Sequence, residues 1–373
     1  MAITVLTQTP DQVRYFPAED DPAARMTEKH VDDLIEIFKT PLSGAYNWDY
    51  VSADGRIRQL YRLGKELNWN ADTDLDWSRT FPKDQIPSDI AFNPFAGYAP
   101  FETMTDAQKL RFAWHQQVWT LSQFLHGEQG ALLVASQLVS CAPTFDAKLY
   151  ASSQTFDEAR QVETFHRYLQ DKVGIQYPVN PHLKALLDKI LSDPRWDLKF
   201  IGMQIIIEGL ALAAFNTMRM TCMDPLLKDL IYLVTRDEAR HVTFGVNYLE
   251  YIVKHLSPEE IEERAQFAYE ACVVMRERLI ATEVFAEFGW DVEAARKMML
   301  DATVMQYFSK FLFTRIVPNL ARIGLLTETV RPKFEALGIL EYENLVSDGD
   351  IDWAALSEPL YGNAPSGNRA TAA

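Results

Sequence analysis

The sequence contains few of the residues that assign a function directly. Only three cysteines (Cys141, Cys222 and Cys272) occur in 373 residues, and they lie too far apart to indicate a cysteine metal site or a disulfide framework. An odd and sparse cysteine count is typical of a reducing compartment, so we expect a cytoplasmic protein. Nor does the chain contain a Gly-rich nucleotide-binding fingerprint.

Basic residues are scarce as well. The chain has 36 Lys and Arg against 52 Asp and Glu, for a net charge of −16. This excess opposes binding to nucleic-acid phosphates and to anionic lipid headgroups. No uncharged apolar run reaches the roughly 18 residues of a membrane span, and the N-terminus lacks the basic and apolar regions of a signal peptide. We therefore expect neither a nucleic-acid partner nor a membrane.

The period-two alternation of β-strands is almost missing, whereas helical periodicity, capping residues and prolines recur along the chain. They predict long helices over residues 105–141, 145–173, 197–222, 225–255 and 258–288. Shorter helices are predicted over residues 26–38, 56–67, 181–191, 291–316, 318–324 and 330–337. The expected fold class is all-α, a long four-helix bundle with additional flanking helices.

The predicted elements divide the chain into four regions. Residues 1–104 are expected to form a wrapping segment with short helices, since Trp, Pro and Asp interrupt the helical pattern there. Residues 105–256 form the bundle core, and residues 257–362 form helices packed on it. The polar, Gly- and Ala-containing tail at 363–373 is expected to be disordered.

Two of the predicted helices carry nearly the same text. One reads TFDEARQVETFHRYL over residues 155–169, and the other reads TRDEARHVTFGVNYL over residues 235–249. Glu158 and Glu238 occupy the same place in these repeats, and each follows a glutamate in an apolar helix, Glu128 or Glu208, by thirty residues. An antiparallel helix pair would bring each such pair of glutamates to one level of the bundle.

This arrangement predicts a metal site. A buried carboxylate is costly unless it is paired or binds a cation, and four at one level would repel each other. Glu238 and His241 stand three residues apart, so they share one helix face. A glutamate from each of two helices with Glu-x-x-His from two others is the ligand pattern of dinuclear iron and manganese bundles, and these ligands suit iron or manganese.

The first repeat departs from this pattern, because Gln161 stands where the second repeat has His241. Three interpretations remain open. Glu158 binds the metal while Gln161 is a weak ligand or none; or Glu163 and His166, a second Glu-x-x-His, bind it; or a helical bulge lets both sets reach it. Without a bulge, Glu158 and Glu163 point about 140° apart on a helix.

On these motifs, residues 105–255 resemble the ferritin-like diiron-carboxylate superfamily, and within it the ribonucleotide reductase small subunit and the bacterial multicomponent monooxygenase hydroxylases. The resemblance implies that the glutamates of the repeats and their upstream partners bind iron together with a histidine. It also implies that Asp157 and Asp237 are hydrogen-bond partners of ligands on the opposite helix, and Gln161 is assigned to the same outer layer. The full set of predicted ligands is Glu128, Glu158, Glu163, His166, Glu208, Glu238 and His241.

Two positions separate this chain from the branches it resembles. The reductase subunits carry a radical tyrosine four residues after the first histidine position, and this chain has Phe165 there. The hydroxylases carry a threonine four residues after the third glutamate, and this chain has Leu212. The resemblance therefore implies an oxidase or oxygenase without naming a known member.

The expected function is that of an O2-dependent diiron oxidoreductase, a monooxygenase or oxidase. Its substrate would be a small, hydrophobic or aromatic organic molecule, because apolar residues surround Glu128 and Glu208, which act in catalysis through the metals. The expected cofactor is two Fe ions, with Mn/Fe possible, and O2 is the co-substrate. Electrons would come from a ferredoxin or reductase, and a homodimer is expected. The alternatives are a non-catalytic scaffold subunit and a Mn/Fe ligand-binding oxidase.

Overall fold

The computed structural model describes residues 3, 13–15, 36–52, 54–89 and 93–350. These residues are mostly helical, which confirms the predicted all-α class. The helices are α1 (Gly55–Glu66), α2 (Ala99–Glu102), α3 (Asp106–Cys141), α4 (Phe145–Arg167), α5 (Pro181–Ser192), α6 (Trp196–Phe200), α7 (Glu208–Thr221), α8 (Pro225–Ile252), α9 (Pro258–Glu277), α10 (Thr282–Glu287), α11 (Val292–Asp301), α12 (Thr303–Leu312), α13 (Ile316–Arg322) and α14 (Arg331–Ala336). Strands β1 (Arg14–Tyr15) and β2 (Ile175–Gln176) pair antiparallel.

The bundle consists of two antiparallel helix pairs. Helices α3 and α4 form the first pair and are joined by a turn at residues 142–144. The second pair consists of α8 and a helical stretch made of α6, a π-helical segment (Ile201–Ile207) and α7. The turn at residues 222–224 joins α7 to α8. Each pair therefore brings its C-terminal half back alongside its N-terminal half, as the repeat predicted.

Local signals explain where the long helices begin and end. The Thr105 hydroxyl accepts a hydrogen bond from the Gln108 backbone N–H. The Gln108 side-chain oxygen accepts from the Thr105 backbone N–H, which completes a capping box. Asp224 accepts from two backbone N–H groups at the start of α8, where Pro225 is the first helical residue. Gly174, with φ of 83°, ends the helix that contains α4 in the left-handed conformation.

The structure corrects two of the predicted helices. The predicted helix 258–288 breaks after Glu277, and α10 begins at Thr282, because the intervening turn buries Ile280 and Ala281 in the core. The predicted helix 291–316 is interrupted at Ala302, whose ψ of 120° is extended. Of the predicted helix 26–38, only residues 36–38 are described, and they are not helical. The tail at 363–373 also lies outside the described residues.

The most apolar helix belongs to the core. The stretch Trp196–Thr221 is long and apolar enough to cross a membrane by length and composition, but 89% of its most apolar window is buried inside the protein. Its isoleucines at 201, 205, 206 and 207 pack in the main hydrophobic cluster with residues of α3, α8 and α9. The apolar text around Glu208 therefore serves to bury that residue in the centre of the bundle.

Close approach between α8 and the π-helical segment depends on Gly245. A Cβ atom at this position would lie 2.5 Å from Cβ of Gln204. We expect Gly245→Ala to lower the free energy of unfolding by about 1–3 kcal/mol, since inserted carbon atoms strain a packed core. Urea denaturation of the metal-free protein measures the change.

Gly127 on α3 provides the matched control. It is buried too, yet a Cβ there would meet nothing within 4 Å. Alanine is favoured over glycine in helices by about 0.5–1 kcal/mol, so Gly127→Ala should leave the stability unchanged or raise it. Equal losses in the two variants would contradict the assignment of a packing role to Gly245.

Candidate metal centre

Five ligand-type side chains meet in the middle of the bundle. Glu128 lies on α3, Glu158 on α4, Glu208 at the first residue of α7, and Glu238 and His241 on α8. All five are at most 5% exposed. They form two groups that could each hold a metal ion, Glu158 with Glu208 and His241, and Glu128 with Glu158 and Glu238. Because Glu158 belongs to both groups, it lies between two ion positions.

Several ligand atoms in this cluster have no hydrogen-bond partner among the described residues. They are Oε2 of Glu158, Oε2 of Glu208, Oε1 of Glu238 and Nδ1 of His241. Leaving a buried polar atom unsatisfied costs about 1–3 kcal/mol, so native proteins almost always pair such atoms. Nδ1 of His241 does lie 3.1 Å from Oε1 of Glu158 and 3.5 Å from Oε1 of Glu238, within ion-pair distance. Four buried ligand atoms in one place, none with a hydrogen bond, are the pattern expected of residues that coordinate cations.

The pKa shifts in the cluster show the effect of burying these ionisable groups together. Burial and then the neighbouring carboxylates raise the pKa of Glu128 and Glu208 well above the usual range. Burial raises the pKa of Glu238 to about 7, although His241 opposes the shift. Burial lowers the pKa of His241, but the charges of Glu158 and Glu238 outweigh it and raise that pKa well above its usual value. The cluster thus requires protons or cations to compensate its negative charge.

The donor set indicates which cations fit. Four carboxylates and one imidazole are hard to intermediate ligands, which suit iron and manganese, and no thiolate takes part. Four negative charges also match two divalent cations. The residues therefore fit the dinuclear iron site that the sequence predicts.

A second layer of charged residues surrounds the cluster. Arg160 donates to Asp157 (2.6 Å) and to Asp237 (2.7 Å), while Arg240 donates to Asp237 (2.5 Å) and to Asp157 (3.1 Å). These two carboxylates and two guanidinium groups, here called the Asp–Arg quartet, compensate each other. Asp157 Oδ2 also lies 3.3 Å from Nε2 of His241. This contact directs Nδ1 of the ring towards Glu158 and fixes the orientation of a potential ligand.

The segment before the bundle reaches this layer. The indole N–H of Trp69 donates to Asp237 over 2.7 Å, and the Arg160 guanidinium lies 4.4 Å from the Trp69 ring centroid. Asn68 accepts a bond of 2.5 Å from Arg160. The predicted wrapping segment therefore contributes directly to the surroundings of the cluster.

The structure separates the two competing sets on α4. Glu158 and Gln161 are fully buried, whereas Glu163 and His166 are exposed and lie outside the cluster. The α-helix is regular from Phe145 to Arg167, so five residues turn Glu163 away from the direction of Glu158. A π-helical segment does follow, but only after His166. The expectation that Glu163 and His166 bind the metal is therefore corrected.

Sequence reasoning missed two glutamines. The Gln154 amide donates to Glu158 (3.0 Å) and to Glu208 (2.8 Å), and it accepts a bond of 3.4 Å from Gln204. Gln154 thus holds one carboxylate of each helix pair. The available signal was their spacing, since Gln154 precedes Glu158, and Gln204 precedes Glu208, by four residues.

Tyr150 is another buried polar residue that the sequence did not single out. Its ring lies 6.5 Å from that of His241, and its hydroxyl has no hydrogen-bond partner within the described part of the chain. Burial raises the pKa of this hydroxyl, so it stays protonated. The Tyr150 hydroxyl is thus a buried polar group without a hydrogen bond on the His241 side of the cluster.

The two positions that distinguish the chain from the reductase subunits and the hydroxylases lie in the apolar core. Phe165 is fully buried and stacks with Phe215 at 6.1 Å, and Leu212 is buried as well. Tyr168, three residues after Phe165, donates to Asp224 over 2.6 Å. None of these contacts places a tyrosine hydroxyl where the reductase subunits have one.

Comparison with known proteins places the chain in a family. The sequence profile of the p-aminobenzoate N-oxygenase AurF family matches residues 53–324, well over half of the chain. No curated protein sequence matches it. Among solved structures, an R2-like ligand-binding oxidase with aerobically reconstituted Mn/Fe cofactor (long soak) is 17% identical, with a TM-score of 0.48 over 76% of this chain and 97% of that one.

A glycine-to-phenylalanine variant of an R2-like ligand-binding oxidase, with anaerobically reconstituted Mn/Fe cofactor, is 19% identical. Its TM-score is 0.47, over 74% of this chain and 96% of that one. The family match confirms the predicted ferritin-like diiron superfamily and an oxygenase or oxidase activity. The chain therefore belongs to the p-aminobenzoate N-oxygenase AurF family.

Proposed function

We propose that this chain is an O2-dependent diiron oxygenase that oxidises a small aromatic substrate with an anionic group. Its irons are held by Glu128, Glu158, Glu208, Glu238 and His241. The unpaired ligand atoms of four of these residues carry the proposal. When bound, the two irons supply the electrons that reduce O2 and the oxidising equivalent that the substrate receives.

The chain's own residues contribute placement and exclusion of water. Gln154 fixes the separation of Glu158 and Glu208, because one amide group donates to both. Asp157 keeps the His241 ring oriented through Nε2, so that Nδ1 faces the ions. The burial of every ligand keeps bulk water away from the reacting centre.

The surroundings of Arg278 support the proposal that the substrate carries an anionic group. It is 6% exposed, and its hydrogen-bond partner among the described residues is the Met275 sulfur, at 3.8 Å. No carboxylate in that part of the chain lies within salt-bridge distance. Burial lowers the pKa of Arg278 to about 10, and the nearby charge of Glu128 partly opposes this. Its guanidinium remains protonated at neutral pH.

Charge compensation explains what Arg278 could bind. Two divalent cations match the four glutamates, and the Asp–Arg quartet is neutral by itself. The positive charge of Arg278 is then left over near Glu128, and a buried charge without a partner is strongly unfavourable. Gly127 borders space in which a Cβ would meet nothing, next to Glu128 in the chain. A substrate carboxylate beside Arg278 would supply the counter-charge.

The electron source and the assembly complete the proposal. The chain has no nucleotide-binding fingerprint, so we assign electron delivery to a separate ferredoxin or reductase. A homodimer stays a prediction, which sedimentation analysis can measure.

Iron binding tests the ligand set. Anaerobic loading with Fe(II) should give about two irons per chain, with charge-transfer absorption after exposure to air. Glu158→Ala should bind less than one iron, because Glu158 belongs to both groups of ligands. Glu163→Ala, an exposed glutamate on the same helix, is the matched control and should bind as much iron as the unaltered protein.

The outcome is read by elemental analysis of the desalted protein. If Glu163→Ala loses its iron and Glu158→Ala keeps it, the assignment on α4 is wrong. If the unaltered protein binds less than one iron, the proposal of a diiron enzyme fails altogether.

Oxygen consumption tests the role of the imidazole. We expect the reduced His241→Ala variant to take up O2 no faster than ferrous iron in buffer, since one ion loses its nitrogen ligand. His166→Ala, which alters an exposed histidine of the first repeat, should consume O2 at the unaltered rate. Equal uptake by both variants, measured with an oxygen electrode, is incompatible with the proposal.

Substrate binding tests Arg278. With p-aminobenzoate as the probe, Arg278→Met should raise the dissociation constant tenfold to a hundredfold, because a hydrogen bond to a charged group contributes about 1.5–3 kcal/mol. Arg276→Met, a neighbouring and partly exposed arginine, is the matched control. Aniline, which lacks the carboxylate, should bind both variants alike. A loss of aniline binding in Arg278→Met, or of iron, would show that the substitution disturbs the site in general.

A further inference from the structure

Gln161 occupies the one position where the two repeats disagree. It follows Glu158 by three residues on α4, as His241 follows Glu238 on α8. Both side chains are fully buried. Since residues three apart share a helix face, Gln161 faces the same way from its helix as His241 does from the other.

The outer contacts of the two residues also correspond. Nε2 of His241 lies 3.3 Å from Oδ2 of Asp157, and Nε2 of Gln161 lies 3.5 Å from Oδ2 of Asp237. Asp237 already accepts from Trp69, so it is an acceptor in this network. The amide N–H of Gln161 must therefore face Asp237, which turns its Oε1 to the opposite side.

The inner atoms correspond as well. Oε1 of Gln161 has no hydrogen-bond partner among the residues described, and the same holds for Nδ1 of His241. His241 groups with Glu208, the upstream glutamate of its own helix pair. By the same relation, Gln161 belongs with Glu128, Glu158 and Glu238.

We propose that the Gln161 side-chain carbonyl is a ligand of the ion held by Glu128, Glu158 and Glu238. This inference rests on the proposed dinuclear function and deepens it. It makes the two ion positions chemically different, because one has only oxygen ligands from the described residues and the other has the imidazole of His241.

The difference in ligands has a consequence for metal preference. An amide oxygen is a harder and weaker donor than imidazole, and carbonyl and carboxylate oxygens suit manganese, whereas imidazole suits iron. The position with Gln161 therefore binds its ion more weakly and discriminates less against Mn(II). Iron and manganese supplied together should distribute unequally between the two positions.

Substitutions at Gln161 test the proposal by metal binding, independently of turnover. Anaerobic titration of the full chain with Fe(II) should give two binding steps. Gln161→Met keeps the length of the side chain and removes its oxygen, so it should weaken the second step at least tenfold and leave the first unchanged. Gln161→His should strengthen the second step and lower the manganese content after loading with equimolar Fe(II) and Mn(II).

X-ray absorption gives a second measurement that does not depend on affinity. In the unaltered protein, the iron spectrum should correspond to one imidazole for every two ions. Gln161→His should raise this to one imidazole per ion. No change in the imidazole count of the fully loaded variant would overturn the proposal, because the side chain would then not reach the ion.

Gln154→Met is the matched control, since it also removes a buried glutamine near the cluster. Its amide donates to Glu158 and Glu208, and its oxygen accepts from Gln204, so it has no free ligand atom. Because Glu158 belongs to both groups of ligands and Glu208 only to the group with His241, this variant should weaken both binding steps, and the step at the His241 position more. Two steps of unaltered affinity in Gln161→Met would overturn the role of Gln161 and leave the diiron function intact.

Failure of the function gives a different result. If the unaltered protein itself binds less than one ion, the dinuclear proposal fails, and the inference about Gln161 fails with it. Should Gln161→Met not fold, as judged by circular dichroism, Gln161→His decides the question through its imidazole count.

Discussion

The repulsion between four carboxylates buried at one level is the constraint on which the rest of this structure depends. Glu128, Glu158, Glu208 and Glu238 reach that level because each antiparallel helix pair carries its glutamates thirty residues apart. Burial in an apolar bundle removes the solvent that would otherwise screen them. The arrangement is stable only with compensating positive charge, so the architecture and the binding of cations are two aspects of one requirement.

The Asp–Arg quartet keeps its own charges balanced separately from those of the four glutamates. Its four side chains come from α4 and α8 and compensate each other, so they draw no charge from the glutamates inside. At the same time Asp157 orients His241, and Asp237 binds both Trp69 and Gln161. A neutral layer of this kind joins the two helix pairs and orients the ligands. It does not compensate the negative charge of the glutamates, which remains available to bind cations.

Much of this could be predicted from sequence, because the deciding signals are local or repeated. Caps and prolines gave the ends of four of the five long helices within a few residues, and the Asp-Glu-Ala-Arg repeat pointed to Glu158 and Glu238. The choice between Glu158 and Glu163 depended on whether α4 is regular, which residue types do not reveal. Arg278 could not be found either, since its role arises from Glu128, which is distant in sequence.

The repeat relates the two halves of the metal centre by an approximate twofold axis. The residues that depart from this symmetry lie at particular sides of the centre. Gln161 belongs by that relation with Glu128, and Arg278 is the buried cation whose pKa responds to Glu128. Tyr150 lies on the other side, next to His241. The two ion positions therefore differ in their surroundings, since Arg278 lies on the side of Glu128 and Tyr150 lies on the side of His241. In the proposed arrangement, a substrate that binds beside Arg278 lies on the side of the ion that Glu128 and Gln161 hold, and the ion held by the His241 imidazole lies on the far side.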